Sequence, residues 1–158
     1  MPDQTQKTSR RVSMKNIVII NGPNLNMLGI REKSIYGEQT YDGLVEYIKT
    51  ARSRVVSLDF FQSNHEGSII DRLHKCYFDK VDGIVINPGA YTHYSYAILD
   101  AIKAINIPTV EVHISNVDER EPFRKISVTA PACVAQIKGL GFEGYVKAID
   151  VLLGVDYD

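Results

Sequence analysis

Asn16-Ile17-Val18-Ile19-Ile20-Asn21-Gly22-Pro23-Asn24-Leu25-Asn26 is the stretch whose reading decides the fold. Ile17 to Ile20 is apolar and β-branched without polar alternation, as expected of a strand buried on both faces of a parallel sheet. Asn21, Gly22 and Pro23 then break the pattern and open a polar loop. Working outward, similar apolar runs occur at Val55 to Phe61, Gly83 to Ile86, Thr109 to Ile114 and Cys133 to Ile137. Helical patterns fall at Tyr41 to Arg54, Ser68 to Phe78, Ser95 to Ile105 and Glu143 to Leu153. Strands that alternate with helices of about three turns, joined by right-handed crossovers, place helices over both faces of one parallel sheet. The expected architecture is an α/β, doubly wound five-stranded parallel sheet in the order 2-1-3-4-5.

The chain has 158 residues, 44% of them hydrophobic, and a formal charge of -1. That length suits one core. With no apolar run near the roughly 18 residues of a membrane span and no basic stripe, neither a membrane nor a nucleic acid is an expected partner. Cys76 and Cys133 are far apart without Cys-x-x-Cys spacing, which fits a reduced, cytoplasmic compartment better than a disulfide framework. Residues 1–13 are polar and read as a loose tail, leaving 14–158 as a single catalytic domain. Ser63 followed by Glu66 forms a possible capping box at a helix entrance. Pro108 ends the preceding helix before the fourth strand.

In open parallel sheets, ligands bind beyond the carboxyl ends of the strands where strand order reverses. That directs attention to Asn21-Gly22-Pro23-Asn24 after the first strand and to Asn87-Pro88-Gly89-Ala90-Tyr91-Thr92-His93 after the third. Glu111-Val112-His113-Ile114-Ser115-Asn116 closes the fourth. Alternation along that fourth strand puts Glu111, His113 and Ser115 on one face and Val110, Val112 and Ile114 on the other. A carboxylate beside an imidazole fixes its tautomer and favours its protonated form, which suits a general acid. The same two residues also read as a satisfied buried polar pair, or, with His93, as a zinc site. The connection Gly29 to Gly37 is long enough to act as a mobile cover and carries Arg31 and Tyr36. A phenol with a pKa of about 10 is a poor base at neutral pH, but a cation within roughly 4 to 6 Å lowers it by about 1 to 3 units. On spacing alone, both residues also read as ordinary solvated side chains.

Taken together, several ordered motifs resemble type II 3-dehydroquinate dehydratases: Asn21 to Asn26, Leu28-Gly29, Arg31-Glu32, Tyr36-Gly37, Gln62 to Gly67, Asn87 to His93, Glu111 to Asn116, Gly139-Leu140-Gly141 and Gly144-Tyr145. The match runs from about Lys15 to Leu153. The resemblance implies a flavodoxin-like fold and the conversion of 3-dehydroquinate to 3-dehydroshikimate through an enolate, with no cofactor, metal or Schiff base. The step serves aromatic biosynthesis or quinate breakdown. The resemblance further makes Tyr36 the base, Arg31 the cation that lowers its pKa, and Asn24 the holder of a water at the enolate oxygen. His113 becomes the acid and Glu111 its orienting partner. Asn87, His93 and Arg124 would hold substrate hydroxyls, and the backbone of Ile114 and Ser115 the carboxylate. Asp100 would reach a neighbouring subunit's site in a homo-oligomer, a dodecamer built from trimers.

Lys33, Tyr94, Tyr96 and Asp118 depart from common family residues and bear on lid stiffness and subunit packing. A receiver or flavin-binding domain of the same topology is the competing class. It fits poorly, because amides stand after strands 1 and 3 where a phosphoacceptor site needs carboxylates, and no phosphate loop occurs. A non-catalytic binding module on the same scaffold is the other alternative.

Overall fold

The computed structural model describes residues 14–30 and 39–155. Five strands, β1 (Asn16–Asn21), β2 (Ser57–Gln62), β3 (Gly83–Asn87), β4 (Thr109–His113) and β5 (Ala135–Lys138), form one parallel sheet in the order β2-β1-β3-β4-β5. The helices are α1 (Tyr41–Arg52), α2 (Glu66–Phe78), α3 (Tyr96–Ile105) and α4 (Glu143–Leu152). The expected order is observed.

Alternate residues of each central strand feed two separate cores. Ile17, Ile19, Val85, Val110 and Val112 pack with Leu44 and Ile48 of α1 and with Tyr145, Ala148 and Ile149 of α4. Val18, Ile20, Ile84 and Ile86 pack instead with Ile69 and Leu73 of α2 and Ile98 and Ile102 of α3. Each fully buried aliphatic side chain is worth roughly 1.5 to 3 kcal/mol, so the two-sided burial outweighs any local preference of the strands. A bidentate pair, Arg52 Nε and Nη2 on the carboxylate of buried Asp150 at 2.7 and 2.8 Å, ties α1 to α4.

Some boundaries differ from expectation, each for a local reason. β2 begins at Ser57 rather than Val55, because the amides of Val55 and Val56 turn back to Arg52 O and finish the α1 terminus. β5 begins at Ala135 rather than Cys133, whose amide closes the 3-10 turn Ala130–Ala132. The capping box does not form. Ser63 Oγ accepts from His65 N, α2 starts at Glu66, and the Glu66 carboxylate takes a 2.6 Å hydrogen bond from Ser95 Oγ at the start of α3.

The first and third strands end side by side, with Asn21 in register with Asn87. There Gly22 N donates to Asn87 O at 2.7 Å, and a Cβ on Gly22 would lie 2.5 Å from Pro88 O. Glycine is required by contact with backbone, which cannot give way. Gly22→Ala is therefore expected to destabilise the fold by about 2 to 3 kcal/mol and lower Tm by roughly 5 to 10 °C. Thermal unfolding followed by circular dichroism checks this; an unchanged Tm would contradict the close approach.

Candidate active site

A crevice of about 120 Å³ opens beyond the carboxyl ends of β1, β3 and β4. The β1 side supplies Pro23, Asn24 and Leu25, and the β3 side supplies Asn87 and His93. Past β4 come His113, Ile114, Ser115, Arg120 and Arg124. The described lining holds two arginines and two histidines and no carboxylate, so it favours an anionic ligand.

The amides on the β1 and β3 sides are held in place before any ligand arrives. Asn87 Nδ2 donates to Tyr145 OH at 2.9 Å, Asn87 Oδ1 accepts from Gly89 N at 3.1 Å, and Tyr145 OH donates to Asn21 Oδ1 at 2.6 Å. Asn24 sits in the left-handed region at φ 70°, and its backbone N–H donates to Asn64 Oδ1 at 2.9 Å. Gln62 Nε2 bonds Gly22 O and Asn64 Oδ1, so the segment after β2 braces the loop after β1. Asparagine adopts the left-handed backbone more readily than other non-glycine residues.

On β4, His113 Nε2 lies 3.0 Å from Glu111 Oε2. Glu111 is wholly buried and also accepts from Thr92 Oγ1 (3.1 Å), Ser127 Oγ (2.8 Å), Gln136 Nε2 (2.7 Å) and Thr129 Oγ1. Burial by itself would raise the Glu111 pKa. The His113 hydrogen bond and charge, helped by Thr129 and Ser127, outweigh it and hold the carboxyl below its usual range. Glu111 is thus an ionised acceptor, His113 Nε2 carries the donated hydrogen, and Nδ1 is the ring nitrogen left to serve the crevice. The same logic sets His93, whose Nδ1–H donates to Ile126 O at 2.8 Å and leaves Nε2 for a ligand. Its ring meets Phe123 edge-on at 5.9 Å.

The loop after β4 is fastened at several points. Arg124 Nε pairs with Glu121 Oε2 at 2.6 Å, and its guanidinium lies 4.9 Å from the Phe123 ring centre. Asp118 pairs with Lys138 Nζ at 2.5 Å, which explains how an acid is accommodated there. Gly139 N donates to His113 O and Gly141 N to Ile114 O, so a turn with Gly139 at φ 81° supports the backbone at the β4 end.

Of the residues singled out in the sequence, Asn24, Asn87, His93, His113, Ile114, Ser115 and Arg124 share the crevice, with Glu111 directly behind His113. Arg31, Tyr36 and Lys33 lie outside the described residues. Asp100 is exposed on α3, away from the crevice lining. The zinc reading fails on geometry: both Glu111 oxygens are occupied by donors, and among the described residues no three His, Cys, Asp or Glu side chains converge. Strand alternation places Glu111 and His113 opposite Val110 and Val112, but β4 ends at His113, so Ser115 reaches the crevice from a loop. Sequence reasoning missed Arg120, a cation four residues before Arg124 in a polar loop. It also missed Ser127, Thr129 and Gln136, and gave Thr92 no role of its own although it stands inside the Asn87 to His93 motif; the one signal for Gln136 is its place in the run Cys133 to Ile137 expected to form the fifth strand.

An acid–base pair at the switch point of a doubly wound sheet, facing a small cationic crevice, defines an α/β protein equipped for proton transfer on an anionic small molecule. Residues 15–153 match the family model for class II dehydroquinases. The 3-dehydroquinate dehydratase of Caldicellulosiruptor saccharolyticus is 64% identical over 140 residues, covering 88% of this chain and 97% of the relative. That of Clostridium beijerinckii is 62% identical over 137 residues, covering 86% and 94%. The crystal structure of type II dehydroquinase from Butyrivibrio crossotus superposes with a TM-score of 0.87 at 57% identity, covering 89% and 99%. The chain belongs to the class II dehydroquinase family.

Because the Glu111 carboxyl is held below its ordinary value of 4.5, its contribution to stability is complete above that pH. The contribution is lost as pH falls through the lower folded-state value. Glu111→Gln is expected to cost about 2 to 4 kcal/mol at neutral pH and to lack that acid-side component. Urea unfolding at a series of pH values checks both; parallel stability–pH curves for the two proteins would contradict an ionised Glu111.

Proposed function

We propose that this chain dehydrates 3-dehydroquinate to 3-dehydroshikimate through an enolate, a step of the shikimate pathway. The observation that carries the reading is the buried Glu111–His113 pair facing a crevice lined by arginines and fixed amides. Elimination of water needs a base for the proton beside the ketone, a stabiliser for the oxyanion, and an acid for the departing hydroxyl. His113 supplies the acid from Nδ1, steadied by Glu111. Asn24, fixed in the left-handed backbone, holds a water at the enolate oxygen. Asn87, Nε2 of His93 and Arg124 hold substrate hydroxyls, and the backbone of Ile114 and Ser115 receives the carboxylate, with Arg120 adding positive charge. Tyr36 is the base, with Arg31 lowering its pKa. No metal or organic cofactor takes part.

The assembly is a homo-oligomer, a dodecamer built from trimers, in which Asp100 approaches a neighbouring site. Exposed Tyr94 and Tyr96 near α3, with Phe123 and Ile126 beside the crevice, support burial of this rim against another copy. The reading places the enzyme in the cytoplasm. Among the described residues no helix is long and apolar enough to cross a membrane.

Turnover is read from the rise in enone absorbance on adding 3-dehydroquinate. Tyr36→Phe is expected to keep substrate affinity while kcat falls by on the order of 100-fold to 10,000-fold at every pH. Arg31→Ala is expected to lose kcat near neutrality and to regain part of it as pH rises, because the phenol returns toward its ordinary pKa of about 10. Near-parent turnover by Tyr36→Phe would transfer the role of base to another residue. No turnover by the parent chain would leave a binding module. A fully active monomer in sedimentation would refute the assembly.

A further inference from the structure

Glu111, on β4, receives donors from its own strand and from three other segments. Oε1 accepts from Thr92 Oγ1 (3.1 Å) and Thr129 Oγ1, and Oε2 from Ser127 Oγ (2.8 Å), Gln136 Nε2 (2.7 Å) and His113 Nε2 (3.0 Å). Two of these segments also carry His93. Thr92 directly precedes it, and Ser127 directly follows Ile126, whose carbonyl takes the His93 Nδ1 hydrogen at 2.8 Å. Both crevice histidines are therefore placed by reference to one buried carboxylate.

We infer that Glu111, Thr92, Ser127, Thr129 and Gln136 form one positioning unit that sets the two histidines against each other, with Gln136 a positioning residue for the dehydration. Gln136 stands directly beside Glu111 in the parallel register of β4 and β5. It lies outside every motif that carries the family resemblance. Its donor differs in kind from the hydroxyls. Thr92, Ser127 and Thr129 lie 2.7 to 3.2 Å from one another and can pass their hydrogens among themselves. The Gln136 amide has no such choice, so it pins Oε2 where His113 Nε2 meets it. Without that donor the carboxylate binds a proton more readily and competes with His113 for the proton that the leaving hydroxyl needs.

Among the described residues, the titratable groups facing the carboxylate are His113 on its own strand and Cys133 from the segment entering β5. Burial first, then the Glu111 charge, push the Cys133 thiol up to about 12, so it stays neutral and adds no competing charge.

The inference rests on the reading of His113 as the acid, and the test separates the two. In the full-length enzyme, Gln136→Leu is expected to lower kcat about tenfold with KM changed less than about threefold. The acid limb of its kcat–pH profile moves to higher pH. Added to Glu111→Gln, the same substitution should cost less than about a further twofold, because its effect passes through the carboxylate. Ser127→Ala, which removes another Oε2 donor, is expected to move the acid limb in the same direction and serves if Gln136→Leu does not fold. An unmoved acid limb, or full additivity with Glu111→Gln, overturns the positioning unit. NMR titration of the His113 imidazole is independent of turnover. A shifted titration in Gln136→Leu upholds the unit even if the parent proves inactive on 3-dehydroquinate, and an unshifted one overturns it even if the parent is active.

Discussion

Placing a carboxylate in the interior of a sheet covered on both faces costs several kcal/mol unless donors replace its water. Glu111 sits in that position, on the fourth strand and fully buried, and its neighbours are arranged around the cost. A 3-10 segment after β3 brings Thr92, the chain between β4 and β5 brings Ser127 and Thr129, and β5 brings Gln136. With these donors the carboxylate remains charged, and only a charged carboxylate fixes His113 with its Nε2 hydrogen inward. The His113 nitrogen left facing the crevice is thus selected by hydrogen bonds on the far side of the ring.

The opposite wall obeys a steric constraint. The loops after β1 and β3 cross so closely that Gly22 has backbone where a side chain would be. The chain is then held by Asn87, Tyr145 and Asn21 in one continuous run of hydrogen bonds that reaches from α4 to the crevice. Asn87 Nδ2, the Tyr145 hydroxyl and Asn21 Oδ1 find partners in this run, which restricts their side chains to one arrangement, while Asn21 Nδ2 is buried without one among the described residues. The Asn87 side chain that lines the crevice is ordered by the fold in advance, which spares a ligand the entropic cost of ordering it.

Electrostatics completes the site. Arg120 and Arg124 come from a loop with its own acidic residues: Asp118 pairs with Lys138 at the end of β5, and Glu121 pairs with Arg124 Nε without itself joining the crevice lining. The crevice keeps a positive lining while the chain as a whole carries a formal charge of -1. Local arrangement, rather than overall composition, makes the site suited to an anion.

Strand order, the two-faced burial and the location of the crevice were legible in the sequence, because continuous apolar runs alternating with helices leave few ways to wind a parallel sheet. The motif residues Asn24, Asn87, His93, Glu111 and His113 were legible too, since each stands at the carboxyl end of a strand where that topology puts ligands. Element ends were less so: Val55, Cys133 and the Ser63–Glu66 pair were misjudged because amides at those places satisfy turns, or because a carboxylate found a partner 29 residues away in Ser95. What only the tertiary structure decided was the company of Glu111. Thr92, Ser127, Thr129 and Gln136 are ordinary polar residues in sequence, spread over more than forty positions. Their convergence depends on strand register and on the path of two short 3-10 segments, and neither leaves a periodic trace in the chain.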